Sequence, residues 1–422
     1  MSHFDFDLNA ARQLLGERWA RHHAFCGQGL RIDLSRGRPS EEQLLLSEPM
    51  LEMAATIAPD GTDCRTYGGI QGIHAMRALW GELLGVDPAR VVLSGSSSLS
   101  SIYDALARAL LFGPLTASRP WFDVPARALL CPTPGYDRHF RIGETLGFRL
   151  IPVSMTEDGP DMDVVERLVL TPAVKGMFCV PKYANPSGVT YSPDTVARLA
   201  RMHTAAPDFL LLWDNAYFCH DLYEEGEALA DIFAACDEAG HPSRPVMFAS
   251  TSKITFPGSG IAAMVAGEDY LQHNLPFLSA RAICTDQLSA LRHYCFLKDA
   301  DTVKSLMASH AAILRPRFEA LLDRLGAEFE GKHIADWTRP RGGYFITLRL
   351  LSASAKRVYQ LAKEAGVFLT PAGATHPYGI DPEDAYLRLA PTSLSMDDLA
   401  TACDVLINAI WLASLERYCD RG

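Results

Sequence analysis

From about residue 66 to residue 270 the chain repeats one pattern, a short unbroken apolar run followed by a helical stretch. The runs are Val91-Val92-Leu93, Ala128-Leu129-Leu130, Gly176-Met177-Phe178-Cys179-Val180, Phe209-Leu210-Leu211-Leu212-Trp213, Val246-Met247-Phe248-Ala249 and Ile261 to Val265. A strand with one face in water alternates apolar and polar residues. These runs do not alternate, so both of their faces must be covered. Strands of this kind separated by helices specify an α/β fold with a mainly parallel sheet between helical layers. Such sheets hold ligands at the carboxyl ends of their strands.

The flanks read differently. The first 30 residues carry Leu8, Ala11, Leu14, Leu15 and Trp19 near helical spacing. A polar crossing follows, Asp33-Leu34-Ser35-Arg36-Gly37-Arg38-Pro39-Ser40. After about residue 300 a long helix is expected through Ala311, Ile313, Leu314, Phe318, Leu321 and Leu322. A strand is expected over Arg341-Gly342-Gly343-Tyr344-Phe345-Ile346-Thr347-Leu348, with helices near 352–365 and after Ser395. With 422 residues, more than one small core can fill, the expected division is threefold. Residues 1–50 form an N-terminal helix and crossing that pack with a small domain, 51–300 a large domain, and 301–422 the smaller α+β domain.

Charge and composition exclude several functions. A formal net charge of −11 argues against a nucleic-acid or acidic-membrane surface, which needs a basic patch. The start, Met1-Ser2-His3-Phe4-Asp5-Phe6-Asp7, has neither the basic region nor the apolar core of a signal peptide. No run approaches the roughly 20 apolar residues of a membrane helix. Ten cysteines lie scattered without a C-x-x-C pair, which suits buried thiols in a reducing, cytoplasmic setting.

Five short sequences close successive strands. In Ser94-Gly95-Ser96-Ser97-Ser98-Leu99 a strand ends and a helix begins; the backbone N–H groups and hydroxyls of Ser96, Ser97 and Ser98 suit a phosphate, or equally a simple N-cap. Tyr136, in Cys131-Pro132-Thr133-Pro134-Gly135-Tyr136-Asp137-Arg138-His139, is presented at the sheet edge and is either a ring to stack on a flat heteroaromatic or a turn tyrosine. Asn185, in Asn185-Pro186-Ser187-Gly188, either turns the chain or donates to a phenolate oxygen. Asp214 ends the most apolar strand, where a lone carboxylate is costly; it needs a cation such as a pyridinium N–H, a salt-bridge partner or a helix to cap. Lys253, in Ser250-Thr251-Ser252-Lys253-Ile254-Thr255-Phe256-Pro257-Gly258, is a surface charge, an ion-pair or phosphate contact, or an amine of lowered pKa that forms an imine with an aldehyde. Together they are the inventory needed to hold pyridoxal phosphate, each part following its own strand.

The chain resembles, over essentially its whole length, fold-type I pyridoxal-phosphate-dependent aminotransferases of the aspartate aminotransferase superfamily. Ser-Thr-Ser-Lys, Asn-Pro-Ser-Gly, Asp-Asn-Ala-Tyr and Tyr386-Leu387-Arg388-Leu389 match that family's motifs in order. Ser-Arg-Gly-Arg-Pro-Ser, Tyr-Gly-Gly, Pro-Gly-Tyr-Asp-Arg-His and Ser-Lys-Ile-Thr-Phe are similar to a bacterial subgroup related to the enzymatic half of MocR-type regulators. The resemblance implies a fold-type I large domain with a smaller α+β domain, and aspartate aminotransferase activity. It makes Lys253 the Schiff-base lysine and proton shuttle, and Asp214 the partner of the pyridine nitrogen. Asn185 and Tyr217 would bond the ring oxygen, and Tyr136 would stack on the ring. Ser96, Ser97, Ser98, Ser250 and Ser252 would line the phosphate. Arg388 would clamp the substrate α-carboxylate beneath the backbone of Gly37, with Asn185 beside it. Tyr67, in Thr66-Tyr67-Gly68-Gly69, would reach the phosphate of a neighbouring subunit, which implies a homodimer with shared sites.

One position departs from the family. Many relatives carry an arginine about eight residues after the lysine, and the loop Ile254 to Ile261 has none. The phosphate must then rest on hydroxyls, a helix N-terminus or an arginine from elsewhere. The expected substrates are L-aspartate and 2-oxoglutarate, and a second cation for the side-chain carboxylate could be Arg36, Arg38, Arg138, Arg141 or Arg281. β-Elimination and decarboxylation run on the same scaffold. A ligand-sensing regulatory domain is the non-enzyme reading; it is disfavoured because the pattern starts within the first 40 residues and the charge is acidic.

Overall fold

The computed structural model describes residues 8–420; Met1 to Asp7, read above as lacking a leader, lie outside the described residues. The N-terminal helix, Leu8–Cys26, buries Ala11 and Phe25 and packs Leu14, Leu15 and Trp19 on the C-terminal core. The crossing then adds a two-residue strand, β1 (Ile32–Asp33).

The main sheet takes β2 (Val91–Ser94), β3 (Ala128–Thr133), β4 (Arg149–Thr156), β5 (Gly159–Pro160), β6 (Val174–Cys179), β7 (Leu210–Asp214), β8 (Pro245–Ser250) and β9 (Ala262–Ala266). Their spatial order is β2-β9-β8-β7-β6-β3-β4-β5. The run from β8 to β4 is parallel, and β9 is antiparallel to both of its neighbours. Alternate residues of one strand enter two different cores. Leu211, Trp213, Met247 and Ala249 face one; Leu210, Leu212, Val246 and Phe248 face the other. That two-sided burial is why the strands lack polar alternation. Truncating a fully buried residue such as Leu211 to alanine would cost about 2–5 kcal/mol.

The C-terminal unit holds β10 (Ala335–Trp337), β11 (Ile346–Leu350), β12 (Val367–Phe368) and β13 (Tyr386–Leu389). β10, β11 and β13 form an antiparallel sheet, and β12 pairs with β1 from the N-terminal crossing. The expected strand over Arg341 to Leu348 starts only at Ile346. Gly342 and Gly343 press instead on Tyr183 of the large unit, where a Cβ on Gly342 would lie 2.2 Å from the ring. Gly343 also has a φ of +78°, which a glycine adopts without strain.

Two helices organise this end. Ala300–Phe329 sends Val303 and Met307 into the large unit's core and Leu314, Phe318 and Leu321 into the C-terminal one. The helix Met396–Cys419 corrects the expectation about apolar runs: by length and composition it could cross a membrane. Its hydrophobicity has another use here, since 78% of its most apolar window is buried in protein.

Candidate active site

Asp214 is the last residue of β7 and lies in register with Phe248 of the adjacent β8. Lys253 follows β8 in the short turn Thr251–Lys253. The neighbouring strands on the other side, β6 and β3, lead into Asn185 and Tyr136. The parallel order therefore brings Tyr136, Asn185, Asp214 and Lys253 to one edge, although 117 positions separate Tyr136 from Lys253 in sequence (253 − 136).

Asp214 is buried, and one of its oxygens, Oδ2, lies 2.9 Å from Nε2 of His139. A carboxylate only accepts, so Nε2 carries the proton of that bond. The His139 ring stacks on Phe178 at 4.9 Å and 12° and meets Tyr136 edge-on at 4.9 Å and 71°. The other oxygen, Oδ1, is buried without a partner among the described residues. A carboxylate oxygen taken from water and left unpaired is expensive, so the site is built for a donor that comes with a ligand.

The Lys253 amine lies 5.0 Å from the ring centroid of the buried Tyr217. Burial lowers the lysine pKa and the Arg388 charge pushes the same way, while Asp214 opposes them. Burial likewise raises Tyr217 well above its usual range, with Tyr136 and Asp214 adding to the shift. Tyr136 is pushed up to about 12 by burial, then by Asp214 and Asp137. Both phenols are therefore donors at neutral pH.

The lysine turn is supported from behind. Tyr344 Oη donates to the Lys253 carbonyl at 3.4 Å, and Gln43 Nε2 donates to Tyr344 Oη at 3.1 Å. The same Gln43 amide lies 2.7 Å from His310 Nδ1, and Ser47 Oγ donates to the Ile254 carbonyl at 3.4 Å. Residues from the crossing, the C-terminal unit and the long helix thus converge on one backbone turn.

Arg388 projects from β13. Its Nε donates to Thr370 Oγ1 at 3.3 Å and its Nη1 to Asp137 Oδ1 at 2.8 Å and Asn185 Oδ1 at 3.2 Å. The guanidinium lies 4.8 Å from the Phe345 ring centroid. Gly37 caps that ring: a Cβ there would lie 2.3 Å from Phe345 Cζ. The strap carrying Gly37 is thereby seated next to Arg388.

The hydroxyl cluster is also assembled. Ser250 Oγ donates to Ser252 Oγ at 3.0 Å, and Ser252 Oγ to the Ser96 carbonyl at 3.1 Å. Ser97 N-caps the helix Ser98–Phe112 by accepting from Leu99 N at 3.2 Å, so the capping reading of this loop is realised alongside any anion role. Tyr67 is 75% exposed and is not among the groups gathered here. Of the five candidate arginines, Arg141 pairs with Glu144 and Arg281 with Asp104, whereas Arg36, Arg38 and Arg138 form no ion pair among the described residues.

Sequence reasoning gave no role to His139, Asp137, Gln43, Tyr344 or His310. Their partners are 75 to 301 positions away, and only the Pro-Gly-Tyr-Asp-Arg-His motif drew attention to two of them.

The residues fit pyridoxal phosphate. Asp214 Oδ1 can accept from a ring N–H, the amide of Asn185 and the phenol of Tyr217 can donate to a ring oxygen, and the serine hydroxyls and helix N-terminus can receive a phosphate. A family model described as aspartate amino-transferase matches residues 7–421. An aspartate aminotransferase of Corynebacterium glutamicum is 41% identical over 394 residues, which cover 93% of this chain and 91% of that protein. The crystal structure of an aspartate transaminase from C. glutamicum superposes with a TM-score of 0.96 at 40% identity, covering 99% of both chains. LysN, an α-aminoadipate aminotransferase of Thermus thermophilus complexed with N-(5'-phosphopyridoxyl)-L-leucine, shares the fold at a TM-score of 0.71 and 22% identity, covering 92% of this chain and 93% of that one.

Proposed function

The chain belongs to the aspartate aminotransferase family and is a pyridoxal-phosphate-dependent aminotransferase of fold type I, and we propose that it transfers the amino group of L-aspartate to 2-oxoglutarate by a ping-pong cycle. The observation that carries the site assignment is the unpartnered, buried Oδ1 of Asp214 on the same sheet edge as Lys253.

When bound, pyridoxal phosphate supplies an electron sink for the charge left at the substrate Cα. The chain's own residues do the rest. Asp214, fixed by His139, keeps a proton on the ring nitrogen. Asn185 and Tyr217 donate to the ring oxygen, and Tyr136 packs on the ring face. Ser96, Ser97, Ser98, Ser250 and Ser252 hold the phosphate at the N-terminus of the helix Ser98–Phe112, in place of the arginine that this lysine loop lacks. Arg388 binds the α-carboxylate, with Asn185 beside it and the Gly37 strap above. Nζ of Lys253, its pKa lowered by burial, would take the proton from the substrate Cα and deliver it to C4′ of the cofactor, the shift that moves the amino group off the substrate.

Residues 51–300 act as the cofactor-binding unit, with 1–50 and 301–422 carrying the strap and Arg388 against it. The exposure of Tyr67 supports a homodimer in which this tyrosine completes the phosphate site of a second copy. The aspartate assignment rests on the relative of that activity and on three arginines without ion pairs among the described residues, Arg36, Arg38 and Arg138, near the strap and Tyr136. All ten cysteines are free, which supports a cytoplasmic setting.

An absorbance titration tests this reading. The purified protein should show a visible cofactor band that bleaches with L-aspartate, returns with 2-oxoglutarate and is missing in Lys253→Ala. A band indifferent to aspartate sinks the substrate assignment. Steady keto acid release without 2-oxoglutarate would identify a lyase instead.

A further inference from the structure

Arg388, assigned above to the substrate α-carboxylate, already holds a carboxylate. Nη1 donates to Asp137 Oδ1 at 2.8 Å, and the side chains are 9% and 31% exposed. The guanidinium is the fixed partner, held by Thr370, Asn185 and the Phe345 ring. Asp137 is the movable one. It is the first residue of the helix Asp137–Thr145, where the helix N-terminus stabilises a negative charge with or without Arg388. It also keeps access to water.

A substrate carboxylate that reaches Nη1 must meet the Asp137 oxygen there. Both N–H groups of Nη1 are already given, to Asp137 and Asn185, and a second carboxylate beside Asp137 at this nitrogen is repelled by it in a half-buried site. We propose that Asp137 is a resident carboxylate that occupies the clamping guanidinium until an incoming α-carboxylate displaces it, and so sets how tightly acidic ligands bind. It is a positioning and affinity-determining residue acting through Arg388. The same occupancy keeps the empty clamp neutral and limits capture of small inorganic anions. The inference rests on the reading of Arg388 as the clamp.

The test is calorimetric titration of the cofactor-loaded protein with succinate and with propionate, neither of which carries an amino or oxo group to react. Asp137→Asn keeps an acceptor oxygen for Nη1 and removes only the charge. Both ligands should bind about tenfold more tightly to it than to the unmodified protein, by a similar factor because they share one carboxylate contact. Asp137→Ser, which removes the charge with a smaller side chain, should show the same direction. A merely structural Asp137 would give weaker binding or none, and unchanged or weaker binding in both variants overturns the proposal. Arg388→Lys separates the two readings. Lost binding there with no gain in the Asp137 variants removes this inference alone, whereas unchanged binding in Arg388→Lys removes the clamp itself.

Discussion

Asp214 and His139 are 3% and 1% exposed and hold one another at 2.9 Å, while at the other end of the proposed cofactor site Ser96 stands in solvent and Ser252 bonds only a neighbouring hydroxyl and a backbone carbonyl. The first pair is fixed by the same packing that fixes the sheet, since His139 stacks on Phe178 of β6. The second set consists of hydroxyls at the mouth of a helix, with no cation from the lysine loop and with Tyr67 turned outward. Ring chemistry needs a prearranged charge that does not relax, because reorganisation during the reaction would waste its effect. Phosphate anchoring only needs enough donors, and these can be assembled from hydroxyls, backbone and a second subunit.

The sharpest way to break this contrast is at the buried end. Asp214→Asn preserves shape and removes the charge, and kcat at saturating cofactor should fall by roughly 10²–10³-fold. A steady-state assay that found less than tenfold loss would mean the carboxylate is not the group that keeps the ring charged. At the open end Ser252→Ala removes one hydroxyl among several. Its dissociation constant for pyridoxal phosphate should rise by about fivefold, the loss of roughly 1 kcal/mol, with kcat little changed. A fluorescence titration showing a larger effect than that of Asp214→Asn would reverse the ranking of the two ends.

A third prediction reads stability, not activity, and concerns the support behind Lys253. Burial lowers the His310 pKa from its ordinary 6.5 to about 4. The unfolded chain therefore takes up this proton first as pH falls. Its contribution to stability is complete above about pH 6.5 and is lost on acidification towards pH 4, to a total of about 3 kcal/mol. Urea unfolding at pH 7 and pH 5 should show a loss that shrinks in His310→Gln. An equal loss in both proteins would mean that other groups carry the acid sensitivity.

The placement of Lys253 and Asp214 at one sheet edge was legible in sequence because Asp214 ends a fully apolar run and Lys253 follows another, and the end of such a run in a parallel sheet is the ligand edge. Both-sided burial of the strands was equally legible, since Leu210, Leu211 and Leu212 would have had to alternate with polar residues otherwise. β4 was harder to see, because its burial is broken by exposed positions at Arg149, Pro152, Ser154 and Thr156. His139 and Asp137 sit in a motif that drew the eye to Tyr136, yet nothing local says that one meets Asp214 and the other Arg388. Those contacts arise from strand order, which periodicity does not reveal. Gln43 and His310 are further from reach still, because three separate segments must converge before either has a partner.

Pro316 lies inside the helix Ala300–Phe329, among the turns that serve the C-terminal core and past Val303 and Met307, which serve the other. It has no N–H, so the carbonyl of Ala312 loses its helical donor, and Ala312 faces solvent where water can replace it. The two cores are thus mounted on one beam weakened near its midpoint. A rotation of one core against the other would bend that beam, and the hydrogen bond missing at Pro316 lowers the cost of such a bend.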